Sequence, residues 1–162
     1  MKPSHATVYI ETTVASYLTA RPTRDLIMMA RQQSSQMWWR RRLPEFAPAI
    51  SQLVLDEAAR GDEQAARRRL DALRDFPILD ATPEAFRLAA RFIRPAAMPV
   101  KAKDDALHVA LCAIHGVRYL LTWNFRHIAN AETRHVLAGI CAGAGYAFPT
   151  ICTPDELMRG DL

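Results

Sequence analysis

The sequence has few of the residues that stabilise small secreted or zinc-binding proteins. Its 162 residues include three cysteines, Cys112, Cys141 and Cys152, and no two of them form a CxxC pair. A disulfide framework or a structural zinc site is therefore not expected, and reduced cysteines in a cytosolic protein are the simpler interpretation. The sequence also contains no glycine-rich phosphate loop, which argues against nucleotide hydrolysis.

Long apolar segments are also absent. No run is long enough to span a bilayer, and the first residues, MKPSHATVYIETT, lack the apolar stretch of a signal peptide. We therefore expect a soluble, cytoplasmic protein without a membrane partner. Half of the residues are hydrophobic and 23% are charged, as in ordinary globular proteins. The formal net charge of +4 permits a polyanionic partner but does not demonstrate one.

Apolar segments typical of strands alternate with segments of helical periodicity along the whole chain. Strands are predicted at about 6–11, 47–51, 78–81, 117–122 and 150–154. Helices are predicted at about 12–20, 23–43, 52–60, 62–75, 83–94, 104–115 and 130–144. This alternation predicts an α/β fold in which helices cover both faces of a mainly parallel sheet of four to five strands. The length favours a single domain over residues 1–162.

Acidic and amide side chains recur where predicted strands end or helices begin. Glu11 follows the first strand, and Glu57 lies in the helix after the second. Asp104 and Asp105 begin the helix before the fourth strand, and Asn124 follows that strand. Ligands of parallel sheets bind beyond the carboxyl ends of the strands, where these side chains can converge. Clustered carboxylates raise one another's pKa unless a cation neutralises them, and oxygen ligands suit Mg²⁺ or Mn²⁺.

Each of these acids also has a purely structural interpretation. Glu11 can cap the helix that follows it, because anions are favoured at a helix N-terminus. The same holds for Asp104 and Asp105. Glu57 can form an ion pair with a nearby arginine such as Arg60.

Histidines and basic clusters add weaker signals. His108 follows Asp105 by three positions and so projects near the same helix face, where it can contact phosphate or pack behind the acids. His127 lies in the loop after the fourth strand and can face the same cleft. The segments WWRRR (38–42) and RRR (67–69) suit stacking on single-stranded RNA, but they equally suit amphipathic helices.

Three segments together resemble the motifs of PIN domains. YIETTVASYL (9–18) resembles the first motif, an acid followed by Ser or Thr at a strand end, and SQLVLDEAA (51–59) resembles the second. DDALHVALCAIHGVRYLLTWNFRHIAN (104–130) resembles the third and fourth motifs and is the most specific segment. The chain from about 7 to 158 is similar to VapC-like toxins of type II toxin–antitoxin systems.

The resemblance implies a three-layer α/β/α PIN-like domain with metal-dependent endoribonuclease activity. It implies that Mg²⁺ or Mn²⁺ is held by the acids at the main motif positions, which are Glu11, Glu57 and Asp105. Asn124 matches a fourth catalytic position. Substrate-contacting or supporting roles are expected among Thr12, Thr13, Asp104, His108 and His127. The implied partners are an RNA substrate, an antitoxin received by the early helices and, as a further hypothesis, a second copy of the chain.

Two departures from the motifs keep a second function open. The first strand ends in Glu11 rather than the commoner aspartate, and an acid common near the position of His127 is missing. The alternative is therefore a PIN-like module that binds RNA or a protein without cleaving it. A phosphatase is less well supported, because the segment ETT after the first strand lacks the DxD pattern of a nucleophilic aspartate.

Overall fold

A sheet of five parallel strands forms the centre of the protein. The computed structural model describes residues 5–158. The strands are β1 (Ala6–Ile10), β2 (Phe46–Ser51), β3 (Ile78–Leu79), β4 (Tyr119–Leu121) and β5 (Thr150–Cys152). Their order across the sheet is β3-β2-β1-β4-β5, and each neighbouring pair is parallel. The predicted parallel sheet is confirmed.

Seven α-helices connect the strands within the described residues. They are α1 (Thr12–Thr19), α2 (Leu26–Arg41), α3 (Gln52–Ala58), α4 (Glu63–Leu73), α5 (Pro83–Phe92), α6 (Lys103–Ile114) and α7 (Arg134–Gly143). Side-chain caps explain several starts, because Asp25, Ser51, Asp62 and Thr82 each accept a hydrogen bond from the backbone N–H three residues later.

The helices form two groups around the sheet. Helix α1 contacts α2, α3 and α4, whereas α5 contacts α6 and α7. The result is the three-layer α/β/α architecture that the sequence predicts. Strand β1 lies between β2 and β4, and its residues Val8, Tyr9 and Ile10 are completely buried. This explains why these three residues form a continuous apolar run rather than an alternating pattern.

The order in which strands are added to the sheet reverses at β1, although all strands run parallel. From β1 the chain moves to β2 and β3 on one side, and it later returns to β4 and β5 on the other side. A crevice forms at such a switch point, beyond the carboxyl ends of the two central strands. Glu11 directly follows β1, and Thr122 directly follows β4. The topology therefore places these two side chains together.

Some predicted boundaries differ from the structure. Helix α2 ends at Arg41, because Pro44 lies in a separate 3₁₀ turn, Leu43–Glu45. Helix α6 begins one residue before Asp104, and its N-cap is Ala102, which supplies no side-chain hydrogen bond. Neither aspartate is therefore the cap of α6. No helix among residues 5–158 is long and apolar enough to cross a membrane. The predicted single domain includes 1–4 and 159–162, which lie outside the described residues.

A matched pair of leucines tests the assigned core. Leu120 in β4 is fully buried, whereas Leu26 at the start of α2 is 74% exposed. We expect Leu120→Ala to lower the free energy of unfolding by about 2–5 kcal/mol, through lost burial and the cavity that remains. Leu26→Ala should change it by less than about 0.5 kcal/mol. Urea unfolding of both variants measures the difference, and equal losses would contradict the core assignment.

Candidate active site

The carboxylate of Glu11 is buried at the switch point between β1 and β4. The residue is 3% exposed and forms the N-cap of α1, accepting a hydrogen bond from the Thr13 N–H at 3.2 Å. Its second oxygen accepts from the hydroxyls of Thr13 at 2.5 Å and Thr122 at 2.6 Å. Burial raises the pKa of Glu11, although His108 and the two threonines oppose this effect. The capping role is therefore present, but it leaves a buried and unfavourable charge.

Glu57 reaches the same region from α3 and pairs with His108 of α6. One carboxylate oxygen accepts from His108 Nε2 at 2.6 Å and from the Thr12 hydroxyl at 2.7 Å. Burial acts to raise the pKa of Glu57, but the hydrogen bond and charge of His108 outweigh burial and lower the pKa. The main partner of Glu57 is thus His108 rather than Arg60, which only contributes a favourable charge.

His108 is fully buried and is held on both ring nitrogens. Its Nδ1 lies 2.7 Å from the Tyr9 hydroxyl, which in turn lies 2.7 Å from the Ser51 hydroxyl. Burial acts to lower the pKa of His108, but the bond to Glu57 and the surrounding carboxylates raise it. Because both hydroxyls can donate or accept, the chain of contacts supports either protonation state of the imidazole.

Asp105 lies beside this group in the first turn of α6. Its carboxylate accepts a hydrogen bond from the Asn124 side-chain N–H at 2.9 Å. The Asn124 side-chain oxygen accepts from the backbone N–H of His127, and the backbone N–H of Asn124 donates to the Thr122 hydroxyl. Burial raises the pKa of Asp105, against the effects of His108 and Asn124. Thr122 therefore connects Asp105, through Asn124, to the carboxylate of Glu11.

The arrangement fits a bound cation. Glu11, Glu57 and His108 each present one possible ligand atom, and these three atoms lie within 4.8 Å of one another. Asp105 is outside this compact group, although its carboxylate is electrostatically coupled to Glu57. Three carboxylates face one imidazole, and burial penalises the charge of Glu11 and Asp105. A divalent cation would remove that penalty, so the residues suit a metal.

The other predicted site residues differ in their relation to this group. Thr12 and Thr13 contact Glu57 and Glu11 directly through their hydroxyls. His127 is half-buried, and its charge acts to lower the pKa of Asp105. Asp104 points elsewhere, since its exposed carboxylate lies 3.9 Å from Arg60. Asp104 is therefore not brought into the cluster.

Three residues of the site escape the sequence reasoning. Tyr9 contacts His108, Ser51 contacts the Tyr9 hydroxyl, and the Thr122 hydroxyl donates to Glu11, yet the sequence patterns indicate none of the three as a site residue. A signal for Tyr9 exists, because a tyrosine between the apolar residues Val8 and Ile10 of a buried strand needs a partner for its hydroxyl. Ser51 and Thr122 also occupy strand ends, but serine and threonine are too common at such positions to single them out.

The architecture gives the chain a VapC-like PIN-domain fold, as its similarity to two solved structures shows. VapC20 of Mycobacterium tuberculosis, a sarcin-ricin loop cleaving toxin, has a similar structure, with a TM-score of 0.59 and 15% identity. The similarity covers 78% of this chain and 96% of VapC20. VapBC2 of Rickettsia felis, solved with a promoter DNA fragment, gives a TM-score of 0.54 and 11% identity, over 91% and 98% of the chains. No family model and no curated protein match the sequence.

The raised pKa of Asp105 predicts an effect on stability without metal. A folded-state pKa above the unfolded one means that the carboxylate destabilises the fold once it ionises, so stability is lost as pH rises through the folded pKa. Asp105→Asn removes this ionisation and keeps the shape. In EDTA its Tm should equal or exceed that of wild type at pH 7, with a smaller advantage near pH 3.5.

Asp104→Asn is the matched control, because Asp104 is exposed and makes only a long contact with Arg60. Its Tm should stay close to that of wild type at both pH values. Adding Mn²⁺ should raise the Tm of wild type more than that of Asp105→Asn. A large loss of stability in Asp105→Asn at pH 7 would instead show that Asp105 is mainly a structural partner of Asn124.

Proposed function

We propose that the protein is a metal-dependent endoribonuclease that hydrolyses phosphodiester bonds of RNA. The observation that carries the proposal is the convergence of Glu11, Glu57 and His108, with Asp105 adjoining, beyond the carboxyl ends of β1 and β4. The similar fold of a toxin that cleaves the sarcin-ricin loop supports the same chemistry. The formal net charge of +4 suits a polyanionic substrate.

Mg²⁺ or Mn²⁺ is the proposed cofactor, held by Glu11, Glu57 and Asp105. Oxygen-rich sites prefer these hard cations, and none of the three free cysteines is among the grouped ligand residues Glu11, Glu57 and His108. When bound, such an ion supplies Lewis acidity toward phosphate oxygens and lowers the pKa of a bound water. His108 offers a nitrogen in the same group, but its position between Tyr9 and Glu57 suits a supporting role.

The protein's own residues hold the acids in place for this reaction. Thr13 and Thr122 orient the Glu11 carboxylate, and Asn124 orients that of Asp105. His108 and Thr12 share one oxygen of Glu57, so the other carboxylate oxygen stays outside these bonds. Oriented outer partners of this kind fix ligand geometry before substrate arrives, which reduces the reorganisation needed during reaction.

A toxin neutralised by a cognate antitoxin is the proposed biological setting, which would place the activity in the cytoplasm. The structure of VapBC2, which has a similar fold, supports an antitoxin partner. Helix α2 offers apolar side chains for such a contact, since Leu26, Ile27, Met28 and Met37 are exposed. A homodimer remains a further proposal.

One observation favours the non-catalytic alternative, a module that binds RNA or a protein. Glu11 already accepts three hydrogen bonds from Thr13 and Thr122, and Glu57 is paired with His108. The two acids are thus partnered by the chain itself. Wild-type protein that binds RNA but cleaves none across varied sequences, with either metal, would support this alternative.

Substitution of Glu11 separates the two functions. Glu11→Asp keeps the charge and Glu11→Gln keeps the length, so RNA cleavage should follow charge if Glu11 holds a cation. We expect Glu11→Gln to lose at least about 100-fold in rate, and Glu11→Asp to remain well above it. Cleavage of single-stranded RNA with Mg²⁺ or Mn²⁺ measures this, and EDTA should stop the reaction.

Circular dichroism of both variants controls for folding, because the Gln side chain must also fit between Thr13 and Thr122. Equal cleavage by wild type and Glu11→Gln would show that Glu11 is not a metal ligand. Cleavage that continues undiminished in EDTA would contradict the metal dependence itself.

A further inference from the structure

A cluster of aromatic rings around one arginine includes the two residues that flank Asn124 of the candidate active site. Arg31 of α2 places its guanidinium carbon 5.7 Å from the ring centre of Tyr17, 5.7 Å from that of Trp123 and 5.1 Å from that of Phe125. Arg31 also donates a hydrogen bond to the Tyr17 hydroxyl. We call these four residues the Arg31 cluster. At these distances a guanidinium is attracted to the faces of the rings.

The Arg31 cluster shares its backbone with the candidate active site. Trp123 and Phe125 flank Asn124, whose side chain holds Asp105. The backbone N–H of Trp123 donates to the Thr13 hydroxyl, which donates to Glu11. Hydrogen bonds of Trp123 and Asn124 therefore link the segment that carries Phe125 to Glu11 and Asp105.

The members of the cluster differ in what they contribute to packing. Trp123 is 6% exposed, and its indole N–H donates to the buried Ser35 hydroxyl, so it belongs to the core. Phe125 is 46% exposed. Packing explains Trp123 but leaves much of the Phe125 side chain in contact with solvent.

Among residues 5–158, Arg31 forms no ion pair with a carboxylate, whereas Arg42, Arg60, Arg67 and Arg87 do. An uncompensated guanidinium next to an exposed ring combines attraction for phosphate with a flat surface for stacking. These two features match a nucleotide of a single strand, whose base presents a π-face and whose backbone is anionic.

We propose that Phe125 and Arg31 form a subsite for one nucleobase of single-stranded RNA, next to the phosphate that the acids would act on. This inference rests on the proposed function, since it takes RNA as the ligand. The base stacks on the exposed Phe125 ring, and Arg31 keeps the ring in place and contributes positive charge. The subsite would position the RNA strand relative to Glu11 and Asp105. Because it binds a base by stacking, it would accept any of the four bases.

Binding of a fluorescent single-stranded RNA of about ten nucleotides tests the subsite. Anisotropy is measured in EDTA, so the result does not depend on cleavage. Phe125→Leu keeps an apolar side chain but removes the ring, and we expect it to weaken binding about 5- to 100-fold. Phe125→Tyr keeps the ring and should bind within about twofold of wild type.

Phe86→Leu is the matched control, because Phe86 is 54% exposed on α5 and lies outside the Arg31 cluster. It should leave RNA binding unchanged. A second RNA series replaces each base in turn with an abasic ribose. At one position, removing the base should weaken binding by wild type as much as Phe125→Leu weakens binding of intact RNA. Removing that same base should hardly weaken binding by Phe125→Leu, because the ring on which the base stacks is already absent.

The outcomes separate this inference from the proposed function. If wild type binds RNA without cutting it, and Phe125→Leu still weakens binding, the ribonuclease activity is refuted and the subsite is supported. If wild type cleaves RNA and Phe125→Leu binds RNA as tightly as wild type does, the subsite is refuted and the ribonuclease is not. The Arg31 cluster would then serve packing or a protein partner. The subsite is also refuted if no abasic position matters, or if wild type binds no RNA.

Discussion

The buried carboxylate of Glu11 is the constraint around which the end of the sheet is arranged. A charged group that is 3% exposed needs hydrogen-bond donors, and it obtains them from the first turn of α1 and from the residue after β4. Because the Thr122 hydroxyl also accepts a hydrogen bond from the backbone N–H of Asn124, Thr122 orients the loop that carries Asn124 as well. The Glu11 side chain thus caps α1, joins the ends of β1 and β4, and fixes the geometry of the site.

A second buried network supports the opposite side of the group. The contacts from Ser51 through Tyr9 and His108 to Glu57 join β2, β1, α6 and α3. Removing one member would leave a buried polar group unpaired, which is costly in a region without water access. The network therefore couples the stability of the core to the orientation of Glu57, whose free oxygen matters for the proposed chemistry.

The electrostatics of the group follow from burial more than from sequence. Glu57 and His108 shift each other's pKa toward the charged forms, whereas burial holds the pKa of Glu11 and Asp105 above their usual values. The ionised form of Glu57 is thus stabilised by His108, whereas the ionised forms of Glu11 and Asp105 remain unfavourable. This imbalance gives a physical reason for the proposed cation, beyond the mere presence of acidic residues.

The sequence by itself determined the order of strands and helices and the likeness to PIN-domain motifs, because both depend on residues that are contiguous in the chain. It also placed Glu11, Asp105 and Asn124 near strand ends or a helix start, and Glu57 in the helix that follows β2. Only the tertiary structure decided the partners: Thr122 reaches Glu11 across 111 residues, and His108 rather than Arg60 pairs with Glu57. Asp104 and Asp105 are neighbours in sequence, yet the packing of α6 exposes one and half-buries the other. Such contacts depend on register and on the rotation of each helix, which local patterns do not specify.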